Sequence, residues 1–415
     1  MTIYVLYHNA RAGNVQQWNY IPDESIIAKC ADQITQFDIR FVENMPNTDV
    51  VYAKIEQVPA QSNWLYVIPH VYNNAFYDRP DLKIFDHFMS IPRLWDDLVA
   101  GYGRILFDYG LEGLLSPNFV QGQLSGFFTR NNIPLDRVVF ATSTANAIEI
   151  FDHRSYPMQP MVLRHPELQS CGWSQGIQAV LPQRSIDKRF LCFNRAYRYR
   201  LHRLQLLAKL YRKNLLDQFY YSMLDGADDI DIIEAAAQLT GVEPSSYDTI
   251  GAMRELKPRM PMLLDTDDLK TNLAWEHTDT VESYYRRTGV SIVTETFFHD
   301  GEIFFTEKIW HPVRMQQPFI MLNGPGALQH LRDLGYKTFG QWWDESYDAI
   351  ADPYDRLDAV EQLIADIASW SDTKFAQFVA ESAAVCQHNL IHLQTANTRI
   401  SYDSKLQALF GLDVD

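Results

Sequence analysis

The feature that most restricts the fold is a repeated alternation of short apolar runs with stretches of helical periodicity. Several of the apolar runs are apolar throughout, which is typical of strands covered on both faces of a parallel sheet. Helical periodicity at 24–36 and 86–100 separates some of these runs, so the pattern predicts an α/β layered fold. The predicted strands of the first half are Ile3–Tyr7, Asp38–Val42, Asp49–Ile55, Trp64–Ile68, Arg104–Phe107, Val138–Ala141 and Met161–Leu163.

The second half repeats the theme after a stretch of weak periodicity at 174–184. With 415 residues the chain is too long for one ordinary core, and we place a domain boundary at that stretch. The prediction is two Rossmann-like domains facing across a cleft, at 1–180 and 185–350, followed by a helical segment at 353–415. Predicted strands of the second half are 190–193, 219–223, 290–294, 318–322 and 336–339. Predicted helices are 197–213, 228–239, 277–287, 306–316 and 326–334.

Charge and composition restrict the function classes. The net charge of -16 argues against a protein that grips nucleic acid over a broad surface. The four cysteines form no CxxC pair and no zinc-like cluster, so free thiols in a reducing compartment are expected. The first residues lack the pattern of a signal peptide, and no apolar run reaches the length of a membrane span. We therefore expect a cytoplasmic protein without membrane contact.

A basic segment follows the first strand of the second half. The strand ends at Asn194 and Arg195, and ten Lys or Arg residues but a single acid lie within 184–213. A helix start with adjacent arginines is a good site for a diphosphate, because main-chain N–H groups and the guanidinium both favour an anion. We expect Arg195 and Arg198, in the first helical turn, to fill this role, and we expect Asn194 at the strand end to contribute to the same donor site. The alternative is a solvated basic helix face.

Two further strand ends carry polar residues. One strand ends at Thr294 and Glu295, and Thr306 is a reasonable N-cap for the helix that begins with Glu307 and Lys308. A carboxylate at such a helix start can accept hydrogen bonds from ribose hydroxyls, while the lysine can meet a phosphate. The last predicted strand runs into the turn at 323–326, whose glycines allow a close approach of the main chain. The alternative for that turn is an ordinary strand-to-helix joint.

Five motifs together resemble a known family. They are FNRAYRYRLHR, VTETFF, FFTEKIW, QPFIMLNGPGALQHLRDLGYKTF and DESYD, in that order within 190–350. Their order and spacing are similar to the donor domain of phage- and virus-encoded glycosyltransferases related to the α-1,3-fucosyltransferases. The resemblance implies a GT-B arrangement and a UDP- or GDP-linked sugar as donor. It assigns Arg195 and Lys308 to the diphosphate and Glu307 to the ribose, with Glu295 near the ribose or the transferred sugar.

The resemblance does not extend to the first half, so the catalytic base has to be sought from residue chemistry. Inverting transfer needs a base that takes the proton of the acceptor hydroxyl. The segment ILFDYGLEG at 105–113 offers Asp108 at a strand end and Glu112 in the following loop. The other candidates are His8, His70 and His165, which also end predicted strands.

No cofactor besides the donor and no metal is expected. The sequence has no strand-end DxD motif, since the aspartates at 265 and 267 follow a proline-rich loop. Arginine and lysine can supply the positive charge that the leaving diphosphate needs.

Two acceptors stay open at this stage. One is a hydroxylated base in phage DNA, which would require base flipping and a local basic channel. The other is a glycan. A noncatalytic sugar- or nucleotide-binding virion protein is the alternative from a different class, because a fold does not fix a function. The oligomeric state has no signal in the sequence.

Overall fold

A computed structural model describes residues 2–6, 49–53, 57–69, 92–109, 126–153, 159–162, 184–195, 200–224, 247–259, 262, 264, 279–299 and 301–395. The chain divides into two compact units. The first unit consists of residues 1–168 with 397–415, and the second unit consists of residues 169–396. Most of the predicted C-terminal helical segment thus belongs to the second unit.

The first unit is built on a parallel sheet of six strands in the order β2-β1-β3-β4-β5-β6. Residues of its central strands such as Leu65, Ile105, Leu106 and Phe140 are completely buried, as expected for a sheet covered on both faces. The strands are β1 Thr2–Leu6, β2 Asp49–Ala53, β3 Trp64–Pro69, β4 Arg104–Tyr109, β5 Val138–Thr142 and β6 Gln159–Val162. The helices are α1 Pro92–Val99, α2 Gly126–Arg130 and α3 Ala147–His153.

The second unit holds a parallel sheet of four strands in the order β10-β9-β7-β8. Strand β9 lies inside this sheet, and every one of its residues is buried. The strands are β7 Lys188–Arg195, β8 Phe219–Leu224, β9 Thr288–Thr294 and β10 Phe319–Leu322. The helices are α4 Leu201–Arg212, α5 Tyr247–Leu256, α6 Asp279–Arg286, α7 Glu307–Arg314, α8 Ala327–Asp333, α9 Pro353–Ala368 and α10 Asp372–Thr395.

The predicted α/β class with parallel sheets is therefore confirmed. The predicted strand at 38–42 and the predicted helices at 24–36 and 228–239 lie outside the described residues. The predicted helical character from residue 353 onward is confirmed over α9 and α10, and Asp352 caps α9 by accepting from the N–H groups of Tyr354 (2.8 Å) and Asp355 (2.9 Å). Among the helices that the structure describes, none is long and apolar enough to cross a membrane.

The predicted strand at 336–339 is wrong. This stretch is irregular, and side chains rather than a sheet satisfy its main chain. The Asn389 amide accepts from the N–H of Lys337 (2.7 Å) and donates to its carbonyl (2.8 Å), and the Glu345 carboxylate accepts from the N–H of Phe339 (2.7 Å). The apolar residues that suggested a strand are buried and pack against other parts of the second unit. The centroid of the Tyr336 ring, for example, lies 5.3 Å from that of Trp310.

Candidate functional site

Three neighbouring parallel strands of the second unit, β7, β9 and β10, end at the same edge of the sheet. Carboxyl edges of this kind are where α/β sheets bind ligands. Asn194 near the end of β7 is buried, and its side chain accepts a hydrogen bond from Thr294 at the end of β9 and donates to the Tyr221 hydroxyl (3.0 Å). Asn194 therefore joins strands within the sheet, and its predicted role toward a ligand stays a prediction.

Glu295 follows β9 and is completely buried. Its main-chain N–H donates to Leu322 of β10 at 2.9 Å. One carboxylate oxygen accepts from the N–H of Thr306 (3.1 Å) and the other accepts from the Thr306 hydroxyl (2.5 Å). The observed role of this carboxylate is thus to hold Thr306, and its predicted contact with ribose or sugar stays a prediction.

Thr306 is the N-cap of α7, as the sequence predicted. Its hydroxyl accepts from the N–H of Lys308 at 3.3 Å, and the Lys308 ammonium donates to the same oxygen at 3.0 Å. The half-buried ammonium is thereby fixed at the start of a helix, where the helix dipole also favours an anion. Glu307 is the first residue of α7, and its side chain is outside the described residues.

Two buried residues of α4 form hydrogen bonds to main-chain carbonyls at the end of β9. Arg203 is 1% exposed and donates through Nη2 to the carbonyl oxygens of Thr294 (2.9 Å) and Glu295 (3.3 Å). His202 lies 2.9 Å from the Glu295 carbonyl through Nε2, and because a carbonyl only accepts, Nε2 carries the proton. Burial lowers the pKa of His202 well below its usual value, so the ring is neutral. Its ring stacks on that of Phe298 at 4.9 Å.

The turn after β10 joins the strand end to the loop at 301–306. The buried Asn323 side chain donates to the Phe304 carbonyl at 2.9 Å and accepts from the N–H of Gly324 at 2.7 Å. A Cβ on Gly324 would lie 2.2 Å from the main-chain oxygen of Glu302, so the glycine is needed for this close approach. Asp348 then caps α8 by accepting from the N–H groups of Leu328 (2.9 Å) and Gln329 (3.1 Å).

The basic segment at 184–213 differs from its predicted arrangement. Helix α4 begins at Leu201, so Arg195 is the last residue of β7 and does not lie in a first helical turn. The Arg195 side chain and all of Arg198 lie outside the described residues.

Seven basic residues of this segment have partners within the second unit, and the alternative of a solvated basic helix face stays open because Arg212 and Lys213 are exposed. Four pair with acids, namely Arg189 with Asp372, Lys209 with Asp358 and Glu361, Arg212 with Glu255, and Lys213 with Glu361. Three donate to main-chain carbonyls, namely Arg184 to Met315 and Gln316, Lys188 to Asp217, and Arg203 to Thr294 and Glu295.

The predicted base lies in the first unit. Asp108 is the penultimate residue of β4, in register with Pro69 of β3 and Ala141 of β5, which places it near the carboxyl edge of that sheet. Its side chain is outside the described residues, as are Glu112, His8, His70 and His165. The described residues contain no group of three or more His, Cys, Asp or Glu side chains that could hold a metal ion.

Comparisons by sequence found no matching family model and no matching curated protein. Comparison by structure found similar chains. T4 phage BGT, solved with its UDP-glucose substrate, is 10% identical, with a TM-score of 0.40, 99% of this chain covered and 100% of that chain. The UDP-forming α,α-trehalose-phosphate synthase from Burkholderia vietnamiensis is 11% identical, with a TM-score of 0.43, 94% of this chain covered and 78% of that chain. At these TM-scores the likeness carries no conclusion about chemistry, which has to come from the residues themselves.

Proposed function

We propose that this chain is a glycosyltransferase that takes a sugar from a nucleotide-diphospho-sugar bound at the carboxyl edge of the second unit's sheet. The observation that carries the proposal is the Lys308 ammonium, fixed 3.0 Å from the Thr306 hydroxyl at the first turn of α7. A cation and a helix start at a parallel-sheet edge form a favourable place for a diphosphate. The motif resemblance of the same segment to glycosyltransferase donor domains supports this reading.

The chemistry that we propose is an inverting transfer. Lys308 and Arg195 stabilise the negative charge that develops on the leaving diphosphate, and Glu307 accepts from the ribose hydroxyls. Asp108 or Glu112 takes the proton from the acceptor hydroxyl as this oxygen attacks the anomeric carbon. No metal is needed in this scheme, because the two cations carry the charge of the leaving group.

The acceptor is either a hydroxylated DNA base or a glycan. A DNA acceptor needs a cationic track, and the dense basic segment at 184–213 is largely committed to internal partners. Binding of DNA by this segment would therefore require its exposed cations, such as Arg212 and Lys213, to exchange their acidic partners for phosphates. A glycan acceptor needs no such track and would be recognised by aromatic and hydrogen-bonding side chains.

Two measurements test the proposed function. Thermal shift against UDP, GDP, CMP and their sugars identifies the donor, since a ligand at 100 times its Kd stabilises the folded state by about 2.7 kcal/mol. Hydrolysis of the identified donor then tests for catalysis. Stabilisation with turnover supports a glycosyltransferase, stabilisation without turnover of any donor indicates the binding protein, and no stabilisation by any nucleotide rules out the donor site.

A further inference from the structure

We infer that Arg203 and His202 are positioning residues that set the place of the Lys308 ammonium without touching the donor. The inference rests on the proposed donor site at Lys308. Arg203 is one of the ten basic residues of the segment 184–213, and His202 precedes it in α4. In the structure both are buried and point at the end of β9.

The contact geometry shows how the strand end is fixed. The carbonyl oxygen of Glu295 receives Nε2 of His202 at 2.9 Å and Nη2 of Arg203 at 3.3 Å, so both of its lone pairs are used. The same Arg203 nitrogen bonds the preceding carbonyl, that of Thr294, at 2.9 Å. Two successive carbonyls are therefore held by one planar cation and one neutral ring, at the point where the chain leaves the sheet.

The burial of a guanidinium is costly. Removing a cation from water is unfavourable, and replacement of buried ion pairs by apolar side chains of similar size is often neutral or stabilising. Stability alone therefore does not explain why position 203 of α4 is an arginine and not an apolar residue. Unlike an apolar side chain, the guanidinium can donate hydrogen bonds to the carbonyl oxygens of Thr294 and Glu295 at once.

The fixed strand end connects to Lys308 through two further links, of which the first is buried and the second half-buried. The Glu295 carboxylate grips Thr306 through its N–H (3.1 Å) and its hydroxyl (2.5 Å). The Thr306 hydroxyl in turn bonds the N–H (3.3 Å) and the ammonium (3.0 Å) of Lys308. A shift of the Glu295 main chain would move its carboxylate and, with it, the ammonium. If Arg203 and His202 position Lys308 in this way, their replacement should weaken binding of the diphosphate group and leave binding of the nucleoside unchanged.

A double-mutant cycle tests this inference on the full chain. Dissociation constants of UDP, GDP, uridine and guanosine are measured for wild type, Arg203→Met, Lys308→Met and the double variant. We expect Arg203→Met to weaken binding of the preferred nucleoside diphosphate about 10–100-fold, the scale seen when a supporting partner of a ligand-holding residue is lost. Binding of the matching nucleoside should change less than about 3-fold. The double variant should bind about as weakly as Lys308→Met alone, because both changes remove the same contact.

Matched variants keep the outcome interpretable. Lys209→Met changes a basic residue of the same helix that pairs with Asp358 at 2.7 Å, and it should leave all four affinities unchanged. Arg203→Lys should recover part of the lost affinity, since an ammonium can reach one of the two carbonyls. If Arg203→Met does not fold, His202→Phe takes its place in the cycle, because it keeps the stacking on Phe298 and removes the donor to Glu295.

Three results would overturn the inference. Losses that multiply in the double variant, or an equal loss for the nucleoside, would mean that Arg203 supports the fold in general and not the ammonium. If wild type binds neither UDP nor GDP, the proposed donor site fails first and the positioning role fails with it. Wild-type binding with independent losses removes the positioning role alone.

Discussion

Replacing Thr306 by valine is the sharpest test of how the start of α7 is held. The change keeps the shape of the side chain and deletes the hydroxyl. That hydroxyl makes three contacts at once, as it donates to Glu295 at 2.5 Å and accepts from the N–H and the ammonium of Lys308 at 3.3 and 3.0 Å. Thr306 is 5% exposed and Glu295 is not exposed at all, so water cannot easily take the place of the lost group.

The expected loss has two parts. Removal of an N-cap hydroxyl costs about 1 kcal/mol, within a range of roughly 0.5–2 kcal/mol. Leaving a buried acceptor without its donor costs about 1–3 kcal/mol, and the completely buried Glu295 oxygen should fall in the upper part of that range. Thr306→Val should therefore lower the free energy of unfolding by about 2–5 kcal/mol. Thr306→Ser keeps the hydroxyl and should lose no more than about 1 kcal/mol.

Equilibrium urea unfolding, followed by tryptophan fluorescence, measures both variants against wild type. We expect a clearly lower urea midpoint for the valine variant and a nearly unchanged midpoint for the serine variant. If the two variants unfold within about 0.5 kcal/mol of each other, the hydroxyl does not hold the helix start and the contact chain from Glu295 to Lys308 is wrong.

Four further outcomes are expected. Arg195→Ala should remove about 2–4 kcal/mol of transition-state stabilisation and so slow the transfer reaction, while an unchanged circular dichroism spectrum shows that the variant is folded. Asp108→Asn or Glu112→Gln should reduce transfer about 10²–10⁴-fold while nucleotide binding persists in titration calorimetry, and full activity in both would move the search to the three strand-end histidines. Gly324→Ala should destabilise the second unit by about 1–3 kcal/mol in urea unfolding, because its Cβ would meet a main-chain oxygen at 2.2 Å, and a wild-type midpoint would contradict that approach. A DNA acceptor predicts a log–log salt slope of roughly -0.9 per phosphate contacted, whereas a glycan acceptor predicts almost none.

Much of the fold could be predicted from the sequence because several strands are apolar throughout. Runs such as those at 64–68 and 318–322 contain no charged or strongly polar residue, and these strands formed within two residues of the predicted bounds. The N-cap Thr306 could also be predicted, since a threonine directly before a helix caps it through its own hydroxyl and needs no distant residue.

The sequence misled where tertiary contacts decide. Tyr336 and Phe339 look like strand residues, but the main chain of this segment is satisfied by side chains. Asn389, which is distant in sequence, bonds the main chain of Lys337, and Glu345 bonds the N–H of Phe339. The charge excess around α4 suggested an anion site, but several of its cations find acids on α9 and other segments that local sequence could not show. Arg203 carried one usable signal, its place on the same helical face as the buried Leu207 and Leu210.

We propose above all that Lys308 binds the diphosphate of a nucleotide-sugar, and the turnover of Lys308→Ala compared with wild type tests this most directly. Donor hydrolysis or transfer is measured at equal protein concentration for wild type and Lys308→Ala, using the nucleotide-sugar that stabilises wild type, with circular dichroism as the control for folding. The account predicts turnover by wild type and a loss of about 2–4 kcal/mol, roughly 30–1000-fold, in the variant. Equal turnover by a folded Lys308→Ala protein would contradict it.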